Sequence, residues 1–125
     1  MRKSVLIADD NAFIRTALYE FFENDPDFHV CALAENGRDA IEEACRLHPD
    51  LIVLDFAMPV MNGLEAARLL RQIMPSVPLI LYSAMRDDIP QQLAKSVGIS
   101  ELISKSERVS VLIDAARGLI RPRAA

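Results

Sequence analysis

The chain has 125 residues, of which 51% are hydrophobic, and its formal net charge is −4. This size and apolar content suit a single domain whose core needs neither disulfides nor a structural metal. The acidic balance argues against direct nucleic-acid binding, no apolar run nears the ~18 residues of a membrane span, and the first run is too short for a signal peptide. We therefore predict a cytoplasmic domain without a membrane partner.

Five short apolar runs are the predicted strands. They cover residues 5–8, 28–34, 51–54, 77–81 and 99–103. Three of these runs are almost continuously apolar, which is typical of strands buried on both faces. The runs therefore favour a parallel sheet that is covered on both sides.

A segment with helical spacing of apolar residues follows each run. The first predicted helix starts near Ala12, the second follows Asn36-Gly37, and the third starts near Gly63. A short fourth helix has Pro90 in its first turn and ends at Gly98. For the fifth helix, which is the clearest, the candidate N-cap is Ser106.

Five strand-helix units predict an α/β fold, a doubly wound five-stranded parallel sheet with helices on both faces. We expect residues 1–121 to form one domain and residues 122–125 to be a frayed tail or the start of a linker. Two cysteines, Cys31 and Cys45, are too few for a disulfide framework, so we predict that both are buried free thiols.

Polar side chains follow four of the five predicted strands. Asp9 and Asp10 follow the first strand, Asp55 ends the third, Ser83 follows the fourth and Lys105 the fifth. Ligands of such sheets bind beyond the carboxyl ends of the strands, so we expect these side chains to meet there. The second strand contributes nothing, as expected of a strand at the edge of the sheet.

This combination of side chains suits phosphoryl transfer with a divalent cation. Two carboxylates ~4 Å apart at an effective dielectric of ~20 repel by about 4 kcal/mol, and a bound cation relieves that repulsion. Oxygen ligands suit Mg²⁺, and a carboxylate can attack phosphorus to form an aspartyl phosphate. Taken singly, Asp10 could instead be a helix cap, Ser83 a turn residue and Lys105 a solvated side chain. Their joint placement is what favours a site.

In these segments the chain resembles the receiver domains of two-component response regulators. The matching pieces are VLIADDN, LIVLDFAMPVMNG, LILYSAM and LISKS, and the likeness extends from about Lys3 to Ile120. The resemblance implies a flavodoxin-like (βα)5 fold with strand order 2-1-3-4-5. The segment GLEAARLLRQIMPSVPLI looks most like receivers that precede helix-turn-helix DNA-binding domains.

The resemblance also implies which residues hold the metal and the phosphoryl group. Asp55 is the phosphoacceptor. Direct ligands of Mg²⁺ are Asp10, Asp55 and the backbone carbonyl of Ala57, and Asp9 acts through water. In the same scheme Lys105 pairs with the acceptor carboxylate or the phosphoryl group.

Ser83 is then the switch hydroxyl, with the small Ala84 beside it leaving room for phosphoryl entry. Two positions depart from the family pattern. Leu102 stands where many receivers carry the Tyr or Phe that follows the switch hydroxyl, and Ser106 stands where a proline often follows the lysine. The departures put the aromatic readout and the stiffness of that loop in question.

As partners, the resemblance implies a sensor histidine kinase or phosphotransfer protein as phosphodonor. It also implies a C-terminal or separate DNA-binding output domain, and a homodimer that forms on phosphorylation. Phosphorylation is expected to switch the face formed by the fourth helix, fifth strand and fifth helix. The domain would assist its own phosphorylation and slow dephosphorylation without being a turnover enzyme. Phe13 and Ala17 are either kinase-docking residues or ordinary partial core.

Three other functions are compatible with a fold of this kind. A flavin module would need a phosphate-binding loop where this chain has the acidic DDNAF. An aspartyl-phosphate hydrolase commonly has a second Asp where this chain has Ala57. The third alternative is a receiver-like interaction domain that is not regulated by phosphorylation, and it stays open, as does whether the chain is a stand-alone receiver.

Overall fold

The computed structural model describes residues 2–121 as a five-stranded sheet covered by helices. The strands are β1 (Lys3–Ala8), β2 (Phe28–Ala34), β3 (Leu51–Leu54), β4 (Leu79–Ser83) and β5 (Glu101–Ser104). The helices are α1 (Ala12–Glu23), α2 (Gly37–Leu47), α3 (Gly63–Ile73), α4 (Gln91–Ser96) and α5 (Val109–Ile120), with a 3-10 turn at Arg86–Asp88 before α4. The predicted tail, residues 122–125, lies outside the described residues.

The sheet is parallel throughout and its strand order is β2-β1-β3-β4-β5. Both the predicted fold class and the strand order implied by the resemblance are confirmed. The chain leaves β1 toward β2 on one side and then crosses to β3 on the other. A crevice for ligands opens at such a switch point, beyond the carboxyl ends of β1 and β3.

Successive residues of the central strands face opposite sides of the sheet, which gives the domain two cores. The side covered by α1 and α5 buries Val5, Ile7, Phe22 and Leu112. The side covered by the other helices buries Leu6, Ala8, Ala40 and Leu70. Full burial of a large aliphatic side chain contributes roughly 1.5–3 kcal/mol, so strands that are apolar on both faces stabilise this arrangement.

Cys31 is the extra residue of a bulge in β2. Val5 pairs with Val30 whereas Leu6 pairs with Ala32, so Cys31 has no partner of its own. Its side chain is half-buried, and burial raises the pKa of its thiol. The prediction of two buried thiols is wrong for the other cysteine, which is exposed on α2.

β1 begins earlier than predicted, whereas β4 and β5 begin and end later. The two later starts each have a local reason. β4 begins at Leu79 because Pro78 has no N–H with which to continue the ladder. β5 begins at Glu101 because Ile99 still closes α4, donating its N–H to the Ala94 carbonyl at 3.0 Å. The later end of β4 places Ser83 as its last residue.

The predicted cap of the last helix is also wrong. α5 begins at Val109 after Arg108, which makes no side-chain cap bond. The Ser106 hydroxyl instead lies 2.7 Å from the Ser104 hydroxyl, within the turn that follows β5. Within residues 2–121, no helix has the length and apolar character needed to cross a bilayer.

Candidate functional site

Three carboxylates from the ends of β1 and β3 meet beyond the sheet. One oxygen from each of Asp9, Asp10 and Asp55 lies within 4.8 Å of the other two. Asp9 and Asp55 are buried, with 1% and 6% of their surface exposed, whereas Asp10 is exposed. The structure thus brings together the three acids that the sequence placed at this edge.

Asp9 is held from four directions. Its Oδ2 accepts a hydrogen bond from Lys105 Nζ at 2.7 Å, and its Oδ1 accepts one from the Asn11 N–H at 2.9 Å. The backbone N–H of Asp9 donates to the Ala34 carbonyl at 3.0 Å, and its carbonyl accepts from Arg15 Nη1 at 2.8 Å. The first two contacts satisfy a carboxylate that is almost fully removed from water, and the other two hold its backbone.

Lys105 lies between two of the acids. Its Nζ is 2.7 Å from Asp9 Oδ2 and 3.2 Å from Asp55 Oδ1. Burial lowers the pKa of Lys105, but the hydrogen bond and charge of Asp9, followed by those of Asp55, outweigh it and leave the pKa above its usual range. The ammonium is therefore charged at neutral pH, and its backbone N–H donates to the Ser83 carbonyl at 2.9 Å, which joins the loops after β4 and β5.

The acceptor candidate Asp55 is destabilised in its charged form. Burial, followed by repulsion from Asp9, raises the pKa of Asp55, and the nearby Lys105 only partly opposes them. Three carboxylates meet here and one ammonium pairs with two of them, so negative charge is in excess. A cation or a proton is what this arrangement lacks.

The donor set fits a hard divalent cation. An octahedral Mg²⁺ with ~2.1 Å bonds separates its ligand oxygens by roughly 3–4.2 Å, close to the spread of these three carboxylates. Asp10 is also not needed as a helix cap, because Asn11 takes that position and accepts from the Ile14 N–H at 3.1 Å. The residues present are therefore suited to a magnesium site with Asp10 on its solvent side.

Ser83 lies at the same edge of the sheet, fully buried at the end of β4. Its Oγ accepts a hydrogen bond from the Met85 N–H at 2.9 Å. Because the oxygen is the acceptor in that contact, the hydroxyl proton remains available to a new oxygen. The Ser83 hydroxyl can therefore donate a hydrogen bond at this edge of the sheet.

Residues 56–62, here called the acceptor loop, connect Asp55 to α3. The loop closes tightly, since the Gly63 N–H donates to the Phe56 carbonyl at 2.9 Å. A Cβ atom at Gly63 would lie 2.3 Å from the Asp55 carbonyl oxygen, so only glycine allows α3 to start this close. Asn62 and Glu65 form a capping box that fixes the start of the helix. Ala57, whose carbonyl is the remaining expected ligand, lies in this loop.

Sequence reasoning missed two residues that contact the backbone of the site. Arg15 donates to the Asp9 carbonyl, and Gly37 donates its N–H to the Met61 carbonyl at 3.0 Å. In the sequence, the Asn36-Gly37 pair indicated only the start of a helix, and Arg15 belongs to no recognisable motif. Their contacts become visible only when the segments are placed in space.

Comparisons with known proteins identify the family of the chain. The sequence matches the model of the response regulator receiver domain over residues 5–117. A protein-glutamate methylesterase/protein-glutamine glutaminase from Methanosarcina acetivorans is 36% identical over 104 residues, which are 82% of this chain and 30% of that protein. The chain spans less than a third of the length of the curated relatives that it matches.

Solved structures show the same architecture. The response regulator domain of Thermotoga maritima CheB has a TM-score of 0.88 at 28% identity, covering 99% of this chain and 100% of that chain. The response regulator TrrA from Thermotoga maritima, solved with Mg²⁺ and beryllium fluoride, has a TM-score of 0.85 at 27% identity, covering 94% and 98%. The chain therefore belongs to the response regulator receiver domains, the phosphoryl-accepting domains of two-component signal transduction.

Proposed function

We propose that Asp55 is the residue that accepts the phosphoryl group, with Mg²⁺ held by Asp10, Asp55 and the carbonyl of Ala57. In this proposal Asp9 reaches the ion through water and Lys105 holds a phosphoryl oxygen. The observation that carries it is the meeting of three carboxylate oxygens within 4.8 Å, beside an ammonium 3.2 Å from Asp55. The complex of TrrA with Mg²⁺ and beryllium fluoride supports the same assignment of the metal.

The reaction needs little beyond positioning and charge. An oxygen of Asp55 attacks the phosphorus of a phosphohistidine, the bond from phosphorus to the imidazole nitrogen breaks, and the imidazole leaves with the electron pair. Lys105 holds Asp55 in place through Oδ1 and carries positive charge beside the incoming oxygens. When bound, Mg²⁺ supplies the rest of the positive charge that these oxygens require.

Ser83 and Lys105 connect this reaction to the rest of the domain. A phosphoryl group brings about −1.5 to −2 charges and three acceptor oxygens. The Ser83 hydroxyl then donates to one of these oxygens, and the loop that Met85 belongs to follows it. We propose that this movement shifts the face of α4, β5 and α5. Leu102 lies half-buried against the core under α4, so the movement is proposed here without an aromatic readout.

The proposed phosphodonor is a sensor histidine kinase or a phosphotransfer protein, which docks over α1. Phe13 is 82% exposed, so its alternative interpretation as partial core is wrong. Ala17 is half-buried, so it contributes both to the packing of α1 and to its exposed surface. An exposed aromatic ring in the first turn of α1, close to the acids, fits a surface that is covered when the donor binds.

For the output, we propose a DNA-binding domain, either C-terminal or separate, with a homodimer formed on phosphorylation. The methylesterase relatives favour a second candidate, an enzymatic partner domain under control of this receiver. The receiver itself, which we assign to residues 1–121, would assist its own phosphorylation and slow dephosphorylation without turnover of other substrates. We further propose that it works in the cytoplasm.

Labelling by acetyl phosphate tests the acceptor. We expect Mg²⁺-dependent incorporation into the wild-type protein and none into the Asp55→Ala variant. The matched control is Asp87→Ala, which removes a carboxylate that is 97% exposed and should label like the wild type. If Asp55→Ala were labelled as strongly as the wild type, another residue would be the acceptor. If neither the wild type nor any variant were labelled, the alternative of an interaction domain that is not phosphorylated would be favoured.

A further inference from the structure

We propose that the turn Glu35-Asn36-Gly37 is a brace that holds the two metal-binding segments at a fixed separation, with Arg15 and Gly37 as its positioning residues. The inference rests on the proposed function, since it concerns the Mg²⁺ ligands named there. One segment is the end of β1 with Asp10, and the other is the acceptor loop. The turn between β2 and α2 contacts both.

The contact with the first segment runs through Arg15. One guanidinium nitrogen donates to the Asp9 carbonyl at 2.8 Å, and the other pairs with Glu35 Oε1 at 3.2 Å. The Arg15 side chain is only 16% exposed. The Asp9 carbonyl belongs to the peptide bond that leads into Asp10. Glu35 is exposed, with 70% of its side-chain surface accessible, so it orients the guanidinium from the solvent side. The less exposed contact with the carbonyl sets the plane of that peptide and the direction in which the Asp10 side chain leaves the backbone.

The contact with the second segment runs through Gly37. Its N–H donates to the Met61 carbonyl at 3.0 Å, and an added Cβ would lie 2.5 Å from that oxygen. The first N–H groups of a helix lack partners within the helix, so this one is free for the loop. The neighbouring cap does not compete for it, because Asn36 Oδ1 accepts from the Asp39 N–H at 2.8 Å.

The acceptor loop needs such a restraint. Val60 has φ = 69°, which is strained for a β-branched residue, and the Met61 N–H donates across it to the Pro59 carbonyl at 2.7 Å. Strained backbone persists only where its surroundings impose it. Gly37 holds the residue directly after the strained one, in the same loop that carries the Ala57 carbonyl.

The brace gives β2 a role in the site, although this strand supplies none of the proposed metal ligands. The Ala34 carbonyl at its end accepts from the Asp9 N–H at 3.0 Å, and the brace follows at once. Mg²⁺ demands nearly ideal octahedral geometry, so small displacements of either segment weaken its binding. Mutation of residues that orient metal ligands without touching the metal typically changes metal affinity by about 10–100-fold.

Mg²⁺ titration of the purified chain, followed by calorimetry and by amide NMR shifts, tests the brace. We expect Arg15→Gln and Gly37→Ala to weaken Mg²⁺ binding by about tenfold or more. The control for the first is Arg46→Gln, at the far end of α2 on an exposed pair with Glu43. The control for the second is Gly118→Ala, because a Cβ there meets no atom within 4 Å. Both controls should bind Mg²⁺ like the wild type.

If Arg15 and Gly37 had only a structural role, their substitution would lower the stability of the fold without changing the Mg²⁺ concentration that labelling requires. If the brace acts on the ligands, acetyl phosphate labelling of both variants needs more Mg²⁺ yet reaches the wild-type rate at saturation. Wild-type Mg²⁺ affinity in a folded Arg15→Gln variant overturns the brace, even where Gly37→Ala does not fold. A wild-type protein that fails to bind Mg²⁺ would overturn the proposed function together with it, whereas normal wild-type binding and labelling with unchanged variants overturns the brace alone.

Discussion

Replacing Asp55 with asparagine should stabilise the metal-free protein and abolish its response to Mg²⁺. At an effective dielectric of ~20, a carboxylate within 4.8 Å of two others is repelled by each of them by at least about 3.5 kcal/mol, and it is attracted to an ammonium at 3.2 Å by about 5 kcal/mol. Repulsion therefore exceeds attraction by about 2 kcal/mol, and because Asp10 is exposed, screening reduces this to about 1–2 kcal/mol. The amide keeps the shape of Asp55 and removes its charge.

The pH dependence follows from the direction of the pKa shift. Burial and the charge of Asp9 raise the pKa of Asp55 in the folded state above its unfolded value. The folded protein then binds this proton more tightly, so the contribution to stability is complete below the unfolded pKa and is lost as pH rises through the folded pKa. The stability difference between wild type and the Asp55→Asn variant should therefore be largest near neutral pH and should shrink on acidification.

Urea unfolding at neutral pH, in EDTA and again in Mg²⁺, measures both effects. The Asp55→Asn variant should unfold at higher urea in EDTA, while Mg²⁺ should stabilise the wild type alone, since a ligand that binds only the folded state shifts unfolding by mass action. Asp87→Asn, at an exposed position, is the matched control and should change stability by less than ~0.5 kcal/mol. A variant less stable than wild type in EDTA, or one with the wild-type gain in Mg²⁺, would refute the reasoning.

Three further predictions concern the neighbours of this carboxylate. Lys105→Met should destabilise the metal-free protein by roughly 3 kcal/mol, because it leaves buried carboxylates unpaired, and Mg²⁺ should restore part of the loss in urea unfolding. Gly63→Ala should lose at least ~2 kcal/mol and weaken Mg²⁺ binding, since its Cβ would lie 2.3 Å from the Asp55 carbonyl oxygen; Gly118→Ala, measured in parallel, should not. Ser83→Ala should still bind Mg²⁺ and beryllium fluoride, but the amide NMR signals of α4, β5 and α5 should no longer shift. Shifts equal to those of the wild type would remove Ser83 from the switch.

The sequence predicts the sheet because its strands are apolar on both faces, and it predicts the site because parallel strands end at one edge. Sequence-based prediction fails where one local contact determines the residue at which a strand begins. Pro78 delays β4, and the closing turn of α4 delays β5, although both segments are apolar enough to be strands earlier. Arg15 and Gly37 are missed for another reason: the partners they hold are backbone oxygens, which no spacing of side chains reveals.

The position of Lys105 suggests which oxygen of Asp55 reacts. The ammonium is closer to Asp9 Oδ2, at 2.7 Å, than to Asp55 Oδ1, at 3.2 Å. Lys105 is therefore shared between the two carboxylates, so it orients Asp55 but only partly offsets the burial and repulsion that raise the pKa of Asp55. Within residues 2–121 no donor contacts Asp55 Oδ2, so this oxygen keeps its lone pairs free. We therefore propose Oδ2 as the oxygen of Asp55 that attacks phosphorus, which leaves Oδ1 to hold both Lys105 and the metal.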